Sequence, residues 1–228
     1  MTKALLVIGN RNYSSWSLRG WLALAKSGAE FEVRRLALGT PEFRSEIGRY
    51  SPSGRVPVLH HAGRVVWDTL AIAEYANETF AGGKLWPADA AARAHARSAS
   101  AEMHSGFAAL RSELPMNCRA RDRRVEPSPA LECDIGRIRV LWRECRGRFG
   151  AGGPWLYGHW SIADAMYAPV ASRFLTYGIA LDGLEADYAA TLLSDADLAA
   201  WMAAGAVETE VLDEDERGRP LDARGSTN

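Results

Sequence analysis

Two short segments carry residue types that packing alone does not explain. In Ser51-Pro52-Ser53-Gly54-Arg55-Val56-Pro57-Val58-Leu59, the residues Val56, Val58 and Leu59 read as a strand. Pro57 stands among them without an N–H, which confines it to strand edges, bulges or cis turns. A cis Val56–Pro57 bond would turn the backbone and free the N–H and C=O of Val56 to pair with an extended, peptide-like ligand. An edge strand that tolerates a proline is the other reading. The second segment, Asp68-Thr69, follows a hairpin turn at Ala62-Gly63 and a strand through Val65-Val66-Trp67, and stands where a helix begins. Ile72, Tyr75, Ala76 and Thr79 continue at helical spacing. A helix N-terminus presents unpaired N–H groups and about half a positive charge, so it accepts a carboxylate. With the free backbone at Val56, the pair suits a small anionic peptide.

A third cluster of polar atoms lies nearer the start. Lys3 to Ile8 reads as a first strand, and Asn10-Arg11-Asn12-Tyr13-Ser14-Ser15-Trp16-Ser17 as a turn-prone segment ending in hydroxyls. Leu18, Trp21, Leu22 and Ala25 follow at helical spacing, so a helix starts near Ser15 and ends near Gly28, with Ser14 at its mouth. One expectation for Ser14 and Ser15 is therefore simply to cap that helix.

The elements around these segments follow from pattern. Phe31, Val33 and Leu36 suggest a second strand, and Thr40-Pro41-Glu42 starts a helix that Tyr50 to Gly54 breaks. The order strand, helix, strand, helix, strand, strand, helix is thioredoxin-like. After the glycine- and proline-marked connector Phe80 to Pro87 the chain reads as helix. Ala99, Met103, Phe107, Leu110 and Leu114 form one stripe, and Leu131, Ile135, Ile138, Trp142, Cys145 and Phe149 another, with a basic loop from Asn117 to Pro129 between them. Ser161-Ile162-Ala163-Asp164 opens a further helix as a capping box, and a last helix is expected around Asp195 to Met202.

Composition narrows the function. At 228 residues, 47% hydrophobic and 24% charged, the chain has the material for real cores. A net charge of -1 leaves no footprint for nucleic acid or an anionic membrane. No stretch approaches the roughly 18 apolar residues of a spanning helix, and the N-terminal apolar run is too short for a signal-peptide core. Cys118, Cys133 and Cys145 lack metal or CxxC spacing and suit reduced cytoplasmic thiols. His60 and His61 are adjacent on a strand and point to opposite faces, so no metal site is expected.

Val56-Pro57, the hairpin, Asp68-Thr69 and the helix through Ile72-Ala73-Glu74-Tyr75 resemble the glutathione-binding half of the cytosolic glutathione transferases. Ser161-Ile162-Ala163-Asp164, after Trp155-Leu156-Tyr157-Gly158, resembles the folding signature of that family's helical domain. The resemblance extends to about residue 205 and is closest to the zeta-like, serine-type branch. In that branch a Ser-Ser-Cys-Ser segment precedes the first helix and its first serine activates the glutathione thiol; here the matching residues are Ser14-Ser15-Trp16-Ser17.

The resemblance implies an α/β plus all-α fold: a thioredoxin-like glutathione-binding domain over 1–80, a linker over 81–90, an all-helical domain over 91–205 and a poorly ordered tail over 206–228. It implies Ser14 as the catalytic group, and Ser14, Ser15, Trp16, Arg55, Val56, Pro57, Asp68 and Thr69 as the glutathione site. Val56 would pair with the cysteinyl part, Thr69 and its neighbouring N–H groups would take the γ-glutamyl carboxylate, and Asp68 would lie near the ammonium group. Arg55 would reach the glycyl carboxylate or remain a solvated charge. A second-substrate pocket would be built from Trp16, Met103, His104, Phe107 and Arg111. Arg97, His104 and Arg111 recur every seven residues and would either face the cleft, favouring acidic or polar electrophiles, or face solvent. The implied partners are glutathione, a small electrophile and a second copy of the chain, in the cytoplasm. Glutathione-dependent isomerase or peroxidase activity stays open.

Physical chemistry supports the serine. A free thiol with a pKa near 8.5 is mostly unreactive at neutral pH. A hydroxyl hydrogen bond to a charged acceptor contributes roughly 1.5–3 kcal/mol, about one to two pKa units. Trp16 stands where the zeta-like pattern has cysteine, so maleylacetoacetate isomerase chemistry does not carry over from the pattern, and a non-catalytic binding or regulatory protein of the same fold is the alternative. A thiol-disulfide oxidoreductase is disfavoured, because no cysteine lies near Ser14.

Overall fold

In β1 (Ala4–Ile8) every residue but Leu5 is buried, which suits a strand covered on both faces. A computed structural model describes residues 3–218 and puts β1 inside a four-stranded sheet of order β2-β1-β3-β4, with β2 spanning Phe31–Arg35, β3 Val58–His61 and β4 Arg64–Val66. β1 pairs parallel with β2 and antiparallel with β3, and β3 pairs antiparallel with β4. Alternation sorts the side chains. Leu6 and Ile8 join Leu18, Leu22, Ile72 and Ala76 of α1 (Ser15–Ser27) and α3 (Thr69–Thr79) on one face. Val7 packs with Leu36, Ile47 and Val58 on the other face, where α2 (Pro41–Glu46) contributes Phe43. Thr40 caps α2 and Pro41 opens it, as its sequence predicts.

The rest is helical: α4 (Ala90–Ser105), α5 (Ala108–Glu113), α6 (Pro129–Phe149), α7 (Ile162–Tyr177), α8 (Gly183–Ser194) and α9 (Ala196–Ala206). α7 is the axle of this half, with every residue but Leu175 buried. It packs against α1, α4 and α8. Its start is the expected capping box, in which Asp164 accepts from the Ser161 N–H at 2.8 Å. The thioredoxin-like domain with a mixed sheet and the following helical domain are thus the observed fold.

Three features depart from expectation. The stripe from Ala99 to Leu114 is not one helix. α4 stops at Ser105: Gly106 leaves the helical region at φ -104°, ψ -163°, in a place where a Cβ would stand 2.8 Å from the Glu102 carbonyl oxygen, and Phe107 then adopts φ 53°. α8 was not anticipated; its buried Tyr188 and Leu192 keep helical spacing, but the helix opens on glycine. The tail is the third. From 206 to 218, where poor order was expected, the chain packs back on the first loop, with the Glu208 carboxylate accepting from the Arg11 N–H at 2.9 Å and that of Glu216 from the Tyr13 hydroxyl at 2.8 Å. An acidic composition read in isolation looks unstructured, whereas here the acids meet donors from elsewhere in the chain. Residues 219–228 lie outside the described residues.

Candidate active site

The mouths of α1 and α3 and the loop before β3 converge on an open cavity of about 620 Å³. Its wall is Ser53, Arg55, Val56 and Pro57 from the loop, Trp67, Asp68, Thr69 and Ala71 around the start of α3, Trp16 from α1, and His104 and Arg111 from α4 and α5. The Val56–Pro57 bond is cis, as is Trp67–Asp68. Among the described residues neither the N–H nor the C=O of Val56 has a backbone partner, since β3 begins only at Val58. Glycine at position 20 of α1 lets Pro57 come close: a Cβ there would stand 3.1 Å from Pro57 Cγ.

At the mouth of α3, Asp68 is the N-cap, its Oδ1 accepting from the Leu70 N–H at 3.1 Å. Its Oδ2 meets His104 Nε2 at 2.5 Å across the cavity. The Thr69 hydroxyl donates to the Trp16 carbonyl at 3.1 Å, tying the two helix mouths together. The Thr69 and Ala71 N–H groups have no backbone acceptor among the described residues and remain open donors at a helix N-terminus.

At the mouth of α1, Ser14 is buried and is the cap that the simpler expectation described. Its Oγ accepts from the Ser17 N–H at 3.3 Å and donates to Ser17 Oγ at 2.8 Å; Ser17 Oγ also accepts from the Gly9 N–H at 3.1 Å. Ser15 turns inward, its Oγ accepting from Arg173 Nη2 at 3.2 Å. Neither serine lines the cavity, while Trp16 beside them does. Tyr13 is no substitute: burial first, then its hydrogen bond to Glu216, raise its phenol above the ordinary value.

Trp16 lies between two cations. The guanidinium carbon of Arg19 stands 4.5 Å from its ring centroid and that of Arg111 5.5 Å, with the His104 ring edge-on at 5.3 Å. Arg19 is fully buried; its Nε donates to the Met166 carbonyl at 2.9 Å, and among the described residues its two terminal nitrogens have no partner. Burial, then the charges of Arg173 and Arg111, hold its pKa well below the usual value. Burial likewise brings Arg173 down to about 10. Neither Arg19 nor Arg173 lines the cavity; on its helical side the basic lining residues are Arg111 and His104, the latter paired with Asp68.

Two residues expected in the second-substrate pocket are elsewhere. Met103 and Phe107 belong to the hydrophobic core; Met103 lies on α4, which packs toward α7, and Phe107 beyond the end of that helix. Arg97 sits over the Trp86 ring at 5.6 Å, near Glu74. The break at Gly106-Phe107, rather than a shared helix face, brings Arg111 next to His104. Ser53, Trp67 and Ala71 line the cavity without having been singled out. Ser53 and Trp67 lie inside the two segments whose pattern was legible, whereas Ala71 carries no side-chain signal.

Neither buried thiol competes for the chemistry. Burial pushes Cys118 up to about 12 and Cys145 up to about 11, so neither is a thiolate near neutral pH. His60 is held by the Tyr50 carbonyl and His61 by the Tyr75 hydroxyl.

Residues 13–79 match the family described as glutathione S-transferase, N-terminal domain. A probable maleylacetoacetate isomerase of Caenorhabditis elegans is 34% identical over 175 residues, covering 72% of this chain and 77% of that protein. The maleylacetoacetate isomerase of Rattus norvegicus is 33% identical over 163 residues, covering 70% and 72%. A solved glutathione transferase homologue from Burkholderia, with bound glutathione, superposes with a TM-score of 0.68 at 21% identity, covering 89% of this chain and 98% of that one. The diazinon-metabolizing glutathione S-transferase of the silkworm Bombyx mori gives 0.70 at 17%, covering 89% and 97%. The fold is of the glutathione-transferase class. The chain belongs to the glutathione S-transferase family, and its curated relatives connect it to the zeta-like branch.

Proposed function

We propose that this protein is a glutathione transferase that holds the tripeptide against Val56 and activates its thiol with Ser14 for attack on a small electrophile. The observation that carries the proposal is the unpaired Val56 backbone set in one cavity with the open N-terminus of α3. The cysteinyl part pairs with Val56. The γ-glutamyl carboxylate takes the Thr69 and Ala71 N–H groups, and its ammonium group approaches Asp68.

Ser14 exchanges Ser17 Oγ for the glutathione sulfur as acceptor of its proton, and the field of α1 adds to that stabilisation. The thiol proton passes to water, and the thiolate sulfur forms the new bond to the electrophile as either a leaving group departs with the bonding pair or a polarised double bond opens and its electron pair takes a proton from water. The alternative of a non-catalytic protein is not favoured, because the named relatives are enzymes.

Arg111, which lines the cavity beside the Trp16 ring, supports an acidic or polar electrophile. Arg111→Leu is expected to lower kcat/KM for a carboxylate-bearing electrophile by roughly tenfold, the size of one charge-assisted hydrogen bond, and to spare a neutral one. Equal losses on both electrophiles would remove Arg111 from selection. Arg55 lines the cavity, and its side chain has no hydrogen-bond partner among the described residues. Arg55→Ala should raise the glutathione Kd by about fivefold to tenfold with little change in kcat, and an unchanged Kd by calorimetry would leave Arg55 a solvated charge. A homodimer and a cytoplasmic location complete the proposal. Light scattering after size exclusion tests the first, and the three free thiols support a reducing compartment for the second.

A further inference from the structure

The residues just before Ser14 are held by the far end of the chain. Asn10 to Tyr13 lies between β1 and α1 and has no ladder to satisfy its N–H groups. Glu208 supplies the acceptors: its Oε1 takes the Arg11 N–H at 2.9 Å and its Oε2 the Asn12 N–H at 3.1 Å. Glu216 takes the next position, its Oε1 accepting from the Tyr13 hydroxyl and from Asn117 Nδ2, both at 2.8 Å, and its Oε2 from Arg123 at 2.6 Å. Arg119 closes the frame, donating to the Glu208 carbonyl, the Tyr13 hydroxyl and the Glu210 carbonyl. Trp201 Nε1 donates to the Arg11 carbonyl at 3.0 Å. Gly205 makes the approach possible, since a Cβ there would stand 3.0 Å from the Asn12 nitrogen. Burial works against the charge on Glu216, yet its hydrogen bonds from Tyr13 and Asn117 and the charges of Arg123 and Arg119 hold its carboxyl below the ordinary value.

Three consecutive residues leading into the α1 cap are thus fixed by one acidic segment almost 200 residues away in sequence. A neutral loop contact would satisfy the same N–H groups more weakly, because hydrogen bonds to an ionised acceptor are roughly twice as strong. A displacement of about 1 Å at a reacting group can lower its rate by about a hundredfold; Ser14 is held on the helix side by its cap bonds to Ser17 and on the other by this loop, its N–H donating to the Asn10 carbonyl at 2.9 Å.

We propose that Glu208 to Glu216 is a positioning strap for the mouth of α1, with Glu208 and Glu216 as positioning residues that set where Ser14 meets the glutathione sulfur. The inference rests on the functional reading above.

The test uses the full chain and follows the ultraviolet thiolate absorbance of bound glutathione against pH, with kcat, KM and a thermal melt for each variant. Glu208→Ala should raise the bound thiol's pKa by about one unit and lower kcat about tenfold, while KM for glutathione changes less than about twofold. Glu208→Gln, which still accepts one N–H, should recover part of both effects. A natural chain with no thiolate band overturns the functional reading and this inference together. A natural chain with the band and a folded Glu208→Ala variant titrating identically overturns the inference alone, as does a lowered melting temperature with unchanged thiol pKa. Should Glu208→Ala fail to fold, Glu216→Gln is read in the same way, and an unchanged thiol pKa there overturns the strap.

Discussion

Replacing Ser14 with alanine is expected to lower conjugation by roughly ten- to a hundredfold, the loss of one hydroxyl hydrogen bond to a developing thiolate at about 1.5–3 kcal/mol. The same side chain also caps α1 through the Ser17 N–H, so the alanine variant should lose about 1 kcal/mol of stability as well. Glycine separates the two roles, because a glycine N-cap costs only a few tenths of a kcal/mol relative to serine. Ser14→Gly should therefore melt close to the natural chain and still turn over as slowly as Ser14→Ala. Natural turnover in both variants would remove Ser14 from the mechanism. Natural turnover in the glycine variant alone would assign the alanine defect to the cap.

The largest stability effect is expected at Asp164. Its carboxylate is fully buried and accepts from the Leu156 N–H at 3.1 Å, the Ser161 N–H at 2.8 Å, the Ser161 hydroxyl at 3.0 Å and the Tyr188 hydroxyl at 3.0 Å. Asp164→Ala leaves those buried donors without an acceptor at the start of the axle helix, a loss on the order of 4 kcal/mol and roughly 10 °C in Tm for a chain of this size. A fall of less than about 2 °C in a calorimetric melt would contradict this role.

The pH dependence has a definite sign. Burial raises the Asp164 carboxyl to about 6, although its hydrogen bonds pull the other way. The folded value thus lies above the unfolded one of about 3.9. The contribution of this proton is fully present below the unfolded value and is lost as pH rises through about 6. The stability gap between the natural chain and Asp164→Asn should therefore narrow across that interval, and a gap that widens would reverse the assignment.

Much of this molecule is legible from local pattern, because its informative residues are local exceptions. Pro57 inside an apolar run marks a backbone that cannot complete a ladder, and Asp68-Thr69 after a hairpin marks a helix mouth; both line the cavity. Ser161 to Asp164 marks the axle helix in the same way. The failures share a different cause. Met103 and Phe107 have the right spacing for a pocket wall, but spacing says nothing about which neighbour a face meets; both are in the core, and α4, which carries Met103, packs on α7. The break at Phe107 depends on a left-handed residue that is not glycine, which composition does not announce. Glu208 and Glu216 look like solvated tail charges until Arg119, Arg123 and the Arg11 to Tyr13 loop are brought beside them. Long-range pairing of that kind has no local sequence signal.

The most direct measurement of the central claim is the ultraviolet thiolate absorbance of glutathione bound to the natural chain, titrated across pH. The expected result is a thiol that ionises at least one unit below the free value of about 8.5. A bound thiol that titrates at or above the free value, or no binding at all, would contradict the proposal that this cavity activates glutathione.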